Sequence, residues 1–177
     1  MVSIRALSCV CISVALARAS NFLYEDVVLT KQDTDDFSAI AFGDASQLSY
    51  RGPRCKAEPG DSGWPLDTEW ARFNTSLEGR LLRPVPPSAA CYGGTHENQT
   101  QCEFLLGQAN MTRFYANDPL TVFTEWPQGG TCPVSLNVTG DCRRGGFPLY
   151  VVNASSVRDI QLAVNFARNK KIRLNVK

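Results

Sequence analysis

Gly146-Phe147-Pro148-Leu149-Tyr150-Val151-Val152-Asn153 opens the stretch that decides the fold, and Ile172-Arg173-Leu174-Asn175-Val176-Lys177 closes it. Leu149 to Val152 is a short β-branched, aromatic and aliphatic run, the composition of a strand buried on both faces. Ser156-Val157-Arg158-Asp159 then gives a helix start signal, in which the hydroxyl accepts a backbone N–H and the carboxylate sits in the first turn. Ile160, Ala163, Val164 and Ala167 recur at helical spacing, which assigns them to the face laid on a sheet. Asn169 is the expected left-handed stop, with Arg168, Lys170 and Lys171 where the helix dipole favours cations. Ile172, Leu174 and Val176 alternate as a second strand. The whole reads as a strand–helix–strand unit, and in open α/β units ligands bind just beyond the carboxyl ends of such strands. Lys177 is that end, so the expectation is a chain that stops where a cofactor loop would begin.

Working outward, Asp67 caps an expected helix whose Trp70, Phe73 and Leu77 share one face and which Gly79 terminates. Leu81 and Leu82 begin an extended segment that Pro84, Pro86 and Pro87 hold out of helix. A second amphipathic stretch runs from Glu97 to Ala109, with Cys102, Leu105, Leu106 and Ala109 inward. A further helix is expected from Thr34 to Phe42, opened by Asp33. Pro127, Gly129, Gly130 and Pro133 mark a loop-rich passage, and Arg143 to Gly146 a linker.

The chain has 177 residues, 44% of them hydrophobic, and a formal net charge of +1. That is a globular composition without the electrostatic footprint of a nucleic-acid binder. Arg5, the apolar stretch Ala6 to Ala17 and the Ala17-Arg18-Ala19 motif form a secretion signal, too short to span a bilayer. Cleavage leaves Ser20 first and a product expected to be free of the membrane. Export agrees with five N-glycosylation sequons, at Asn74, Asn98, Asn110, Asn137 and Asn153. The mature cysteines are Cys55, Cys91, Cys102, Cys132 and Cys142, disulfide candidates in an oxidising compartment. Their connectivity is not legible from sequence. Their number is odd, so either one thiol is free or its partner lies in sequence this chain lacks.

His96 is the single histidine and sits in the polar run Gly93 to Asn98, where an unpartnered loop residue is the preferred reading over a catalytic base. The cysteines lack Cys-x-x-Cys spacing, which removes the case for a metal site. Asp61 in Pro59-Gly60-Asp61 reads as a turn residue before it reads as an acid or base. Trp64, Trp70 and Trp126 are candidates for a cofactor or substrate face, yet helical spacing makes Trp70 a core residue. The glycines lack the strand-to-helix context that phosphate cradling needs. No catalytic, cofactor-binding or metal-ligating residue is assigned.

Two blocks carry a family resemblance. Residues Gly145 to Ala154, Val157 to Arg168 and Ile172 to Lys177 resemble the opening of the FAD-binding, PCMH-type domain of fungal FAD-linked oxidoreductases. These are the berberine-bridge-enzyme-like members of the vanillyl-alcohol-oxidase superfamily. Cys55-Lys56-Ala57-Glu58-Pro59-Gly60-Asp61-Ser62-Gly63-Trp64-Pro65, with Trp70, Phe73 and Asn74, is similar to the block that precedes that domain in the same group. Where many relatives carry cysteines, this chain has Ala57 and Gly63, which puts a local disulfide implied by the family in doubt. The family's Gly-His-Asp flavin-attachment motif and its substrate domain have no matching positions.

The resemblance implies an α+β fold. A signal peptide (1–19) would precede a disulfide-containing, glycosylated extension of helices and loops (20–145), and the opening β-α-β unit of the FAD-binding domain (146–177) would follow, truncated. It further implies FAD in full-length relatives, a small-molecule substrate, and a place in fungal secondary metabolism, with ergot-type alkaloids as the substrate class. The chain itself is expected to be secreted, to bind no FAD and to be inactive. The alternative is a non-enzymatic secreted glycoprotein module, against which an unpartnered two-stranded unit argues. A small hydrolase fails for want of a nucleophile–base pair.

Overall fold

The structure, a computed structural model, describes residues 27–43, 55–120, 131–135 and 140–177. The expected signal peptide, Trp126 and the sequon at Asn137 lie outside the described residues. Four helices carry the fold: α1 (Asp67–Ser76), α2 (Gln99–Gln108), α3 (Thr112–Asn117) and α4 (Val157–Asn169). Two short strands, β1 (Leu81–Leu82) and β2 (Val151–Val152), and the 3-10 turns Gln32–Thr34, Ser38–Ile40 and Pro87–Cys91 complete the described elements.

The core joins α1 to α4. Trp70, Phe73 and Leu77 lie on the inward face of α1, as their spacing predicts, against Leu162 and Phe166 of α4. The Phe73 and Phe166 rings stack at 4.1 Å, and Trp70 stacks on Tyr150 at 3.9 Å. Leu29, Phe37, Ala39 and Ile40 close the cluster from the N-terminal side. Burying large aromatic surface this way is the main favourable term of such a core.

The strand–helix–strand reading is corrected. β2 pairs antiparallel with β1, in the register Leu81↔Val152 and Leu82↔Val151, rather than with residues 172–176. Ile172 makes one isolated parallel bridge, to Ala57, and residues 173–177 form no strand. Each segment finds its hydrogen bonds upstream, so the two ends of the expected unit do not share a ladder. β2 is half-buried rather than enclosed on both faces.

The face of α4 is corrected in part, since Ala167 is buried and Ala163 packs against the core as expected. Its buried residues are Asp159, Leu162, Asn165, Phe166 and Ala167, while Ile160 and Val164 are 54% and 44% exposed. Two polar residues on the inward face hide it from a count of apolar spacing. Ser156 caps the helix as expected, its Oγ accepting from the Asp159 N–H at 3.3 Å.

Helix ends differ from expectation by one or two residues. Lys171, at φ 55°, takes the left-handed position that was assigned to Asn169. The N–H groups of Lys171 and Ile172 donate to Arg168 O and Ala167 O, which closes the turn. Asn169 remains helical and donates its amide to Ser38 O, Ala39 O and Ala41 O. On α1, Gly79 (φ 85°) ends the helix as expected, after Glu78 at φ 53°, with the Gly79 N–H donating to Asn74 O at 2.9 Å. Asp67 is the first helical residue rather than the cap, and Glu69 Oε2 accepts from the Leu66 N–H instead.

The helix expected from Thr34 to Phe42 does not form. Asp33 Oδ2 accepts from the backbone and hydroxyl of Thr30, closing a local turn, and Phe37 at φ −140° separates two 3-10 turns. Pro87 starts a 3-10 turn in the segment that was read as extended, a position proline tolerates because its missing N–H is not needed there.

Candidate functional site

The two sequence blocks meet physically. The Ala57 N–H donates to Lys171 O at 3.0 Å, which fixes the Pro-Gly-Asp segment to the end of α4. Within that segment Gly60 has φ +98°, and Asp61 Oδ2 accepts from the Glu58 N–H at 2.8 Å. Asp61 is thus engaged in its own turn, as the structural reading of the sequence predicts. Lys170 pairs with Glu69 of α1, and that bond holds the Glu69 carboxyl below its usual range.

At the other end of α4 lies a buried ion pair that sequence reasoning missed. Asp159 is fully buried; its Oδ1 accepts from Arg80 Nη2 at 2.8 Å and its Oδ2 from Arg80 Nε at 3.1 Å. The Ser155 N–H and Ser155 Oγ also donate to Oδ2, at 2.9 and 3.1 Å. Burial alone pushes this carboxyl up, but the Arg80 and Ser155 hydrogen bonds outweigh it and hold the pKa down at about 2. The signal was the acidic residue three positions after the Ser156 cap, read as a dipole partner when it is the anchor for an arginine 79 positions away. The carboxylate also fills the place where a helix N-terminus would meet an external anion.

Between α2 and α3 an open groove of about 390 Å³ is lined by Phe104, Gln108, Met111, Arg113, Phe114 and Asn117, with Asp118 and Pro119 at its margin. Phe104 and Phe114 meet edge to face at 6.4 Å. Close by, Lys177 Nζ donates to Tyr115 O at 2.9 Å and to Asp118 O.

Cys91 pairs with Cys102, tying the Pro87–Cys91 turn to α2, and Cys132 pairs with Cys142. Cys55 is free and exposed, the odd thiol of the sequence count. Of the sequon asparagines described, Asn98, Asn110 and Asn153 are exposed and Asn74 is half-buried. Asn98 Oδ1 caps α2 through the Gln101 N–H, and Asn74 Oδ1 accepts from the Leu81 N–H. His96 lies exposed in the loop before α2. Trp64 packs beside Trp70 at 5.6 Å on the core. Among the described residues no group of three or more His, Cys, Asp or Glu could hold a metal ion, and no helix is long and apolar enough to cross a membrane.

No established family profile matches the chain. It is 35% identical over 130 residues to the FAD-linked oxidoreductase apf9 of Gibberella fujikuroi, which spans 73% of this chain and 22% of that protein. It is 31% identical over 129 residues to the VAO-type flavoprotein oxidase VAO615 of Thermothelomyces thermophilus, spanning 71% and 22%. Among solved structures, the VAO-type flavoprotein MtVAO713 from Myceliophthora thermophila C1 superposes with a TM-score of 0.63 at 31% identity, over 69% of this chain and 22% of that one. MtVAO615 from the same organism gives 0.60 at 30% identity, over 67% and 22%. The chain therefore spans about a fifth of the length of the curated relatives it matches.

The start of α4 beside β2 is not a pyrophosphate cradle. The turn from β2 into α4, Asn153 to Ser156, carries no glycine, and the adjacent helix start is taken by Asp159. That carboxylate, already paired with Arg80, takes up the Ser155 N–H that an external anion would need. Over the matched residues, in both sequence and backbone, this chain is similar to about a fifth of the length of fungal FAD-linked oxidoreductases and VAO-type flavoproteins.

Proposed function

We propose that these residues are the opening segment of a secreted FAD-linked oxidoreductase that acts on a small molecule, and that they scaffold a flavin site whose contacts come from sequence they do not contain. The observation that carries this reading is identity of 30–35% over 127–130 residues with relatives named as FAD-linked oxidoreductases. By itself the chain retains no FAD and turns over no substrate. Secondary metabolism supplies the substrate, with ergot-type alkaloids the first class to test.

Secretion is part of the same proposal. The apolar run Ala6 to Ala17, the sequons and two paired disulfides all support an oxidising, glycosylating compartment. Protein secreted from a eukaryotic host is expected to begin at Ser20 and to lose mass on glycosidase treatment. An intact Met1 on an unglycosylated product contradicts this.

The family reading is tested at the gene. Genomic and transcript sequence beyond the Lys177 codon is expected to encode Asn-Thr-Gly-His-Asp or a near variant, in frame or behind a frameshift or intron. Downstream sequence without such a motif in any frame overturns the proposal.

A further inference from the structure

Asn110 sits at the corner between α2 and α3, exposed, and its side chain makes no hydrogen bond to the described residues. Its neighbour Met111 and Gln108, two positions before it, line the α2–α3 groove, and the Met111 N–H closes the corner by donating to Gln108 O at 2.8 Å. The groove beside it is apolar where soluble proteins rarely are: Phe104 is 52% and Met111 51% exposed. Arg113 and Asn117 line the same groove and bring polar groups to it. Aromatic faces ringed by hydrogen-bonding groups suit a sugar, whose C–H face stacks on a ring while its hydroxyls meet donors and acceptors. Asn110-Met111-Thr112 is a sequon.

We infer that Asn110 carries an N-linked glycan whose first sugars lie in the Phe104–Met111–Phe114 groove and shield it from water. This rests on the secretion reading above. Transfer comes from a lipid-pyrophosphate-linked oligosaccharide. The Asn110 Nδ2–C1 bond forms, the C1–O bond to the pyrophosphate breaks, the lipid pyrophosphate leaves, and one amide proton is lost.

The full chain is secreted from a eukaryotic host, its sequons are mapped by peptide mass spectrometry, and exposed apolar surface is read with an environment-sensitive dye. Asn110 is expected to be modified, and Asn110→Gln or Thr112→Ala to raise dye fluorescence about threefold or more. Thr100→Ala removes the Asn98 sequon while keeping its cap and is expected to leave the signal unchanged. Adding Phe104→Ser to Asn110→Gln is expected to abolish the rise. Glycans elsewhere with Asn110 bare, or a modified Asn110 whose loss leaves the dye signal unchanged, overturns the inference alone. A product with Met1 intact and no glycan at any sequon overturns it together with the secretion reading.

Discussion

Arg80 grips Asp159 with two hydrogen bonds, 2.8 Å from Nη2 and 3.1 Å from Nε, and so fastens the residue before β1 to the first turn of α4. Because the carboxylate is fully buried, removing its partner leaves a charge with no solvent to return to. Arg80→Ala is expected to destabilise the chain, read as a fall in the urea midpoint. Asp159→Asn, which keeps the shape and loses the charge, is expected to cost less. Equal midpoints for Arg80→Ala and the unaltered chain would show the pair to be energetically idle.

The same pair sets an acid limb on stability. Asp159 titrates at about 2 in the folded chain against an ordinary value of 3.8. A depressed carboxyl binds its proton more readily when unfolded, so its contribution is fully present above pH ~4 and is lost as pH falls towards 2. The loss amounts to about 2 kcal/mol. Urea titrations at steps across that window are expected to show the decline in the unaltered chain and a flatter profile in Asp159→Asn.

The orientation of α4 is tested by truncating one residue on each face. Phe166→Ala empties a site that is 1% exposed and stacked on Phe73, and is expected to cost about 3–5 kcal/mol. Ile160→Ala, at 54% exposure, is expected to cost under about 1 kcal/mol. A reversed order would restore the face that apolar spacing alone selects.

Much of the local structure was legible because short-range rules decided it. Trp70, Phe73 and Leu77 are buried as their spacing says, and Ser156 caps α4 as its hydroxyl allows. The failures share a cause. Asp159 and Asn165 lie on the inward face of α4 because Arg80 and the Ile40 carbonyl, distant in sequence, satisfy them. Strand pairing failed likewise, since Val151 and Val152 are as compatible with an antiparallel partner at Leu81 and Leu82 as with a parallel one downstream. Gly79 ends α1 at φ 85° as expected, whereas the left-handed stop of α4 fell on Lys171, a residue with no intrinsic preference for that conformation, because the closing hydrogen bonds choose the position. The candidate site was legible only as family blocks; their contact through Ala57 and Lys171 is a tertiary fact.

Gly63 and Ala57 face each other at bonding distance for a crosslink. A Cβ placed on Gly63 lies 3.7 Å from the Ala57 Cβ, inside the range that disulfides span. Ala57→Cys with Gly63→Cys is expected to form a disulfide on secretion and to add about 2 kcal/mol. Peptide mapping under non-reducing conditions identifies the bond, and urea unfolding its effect. Pairing of either new thiol with Cys55 in preference to the other would show the two segments are not held as described.

Visible absorption of the purified chain bears most directly on the reading that these residues scaffold a flavin site without holding the flavin. The 177-residue chain is secreted from a FAD-replete host, purified, and its spectrum recorded through the flavin bands alongside a peroxide assay with alcohols, sugars and clavine-type amines. The expected result is a colourless protein that makes no peroxide. A yellow, monodisperse protein that oxidises any of these would contradict it, and would place a flavin site among residues whose charges and turns have been assigned to the fold.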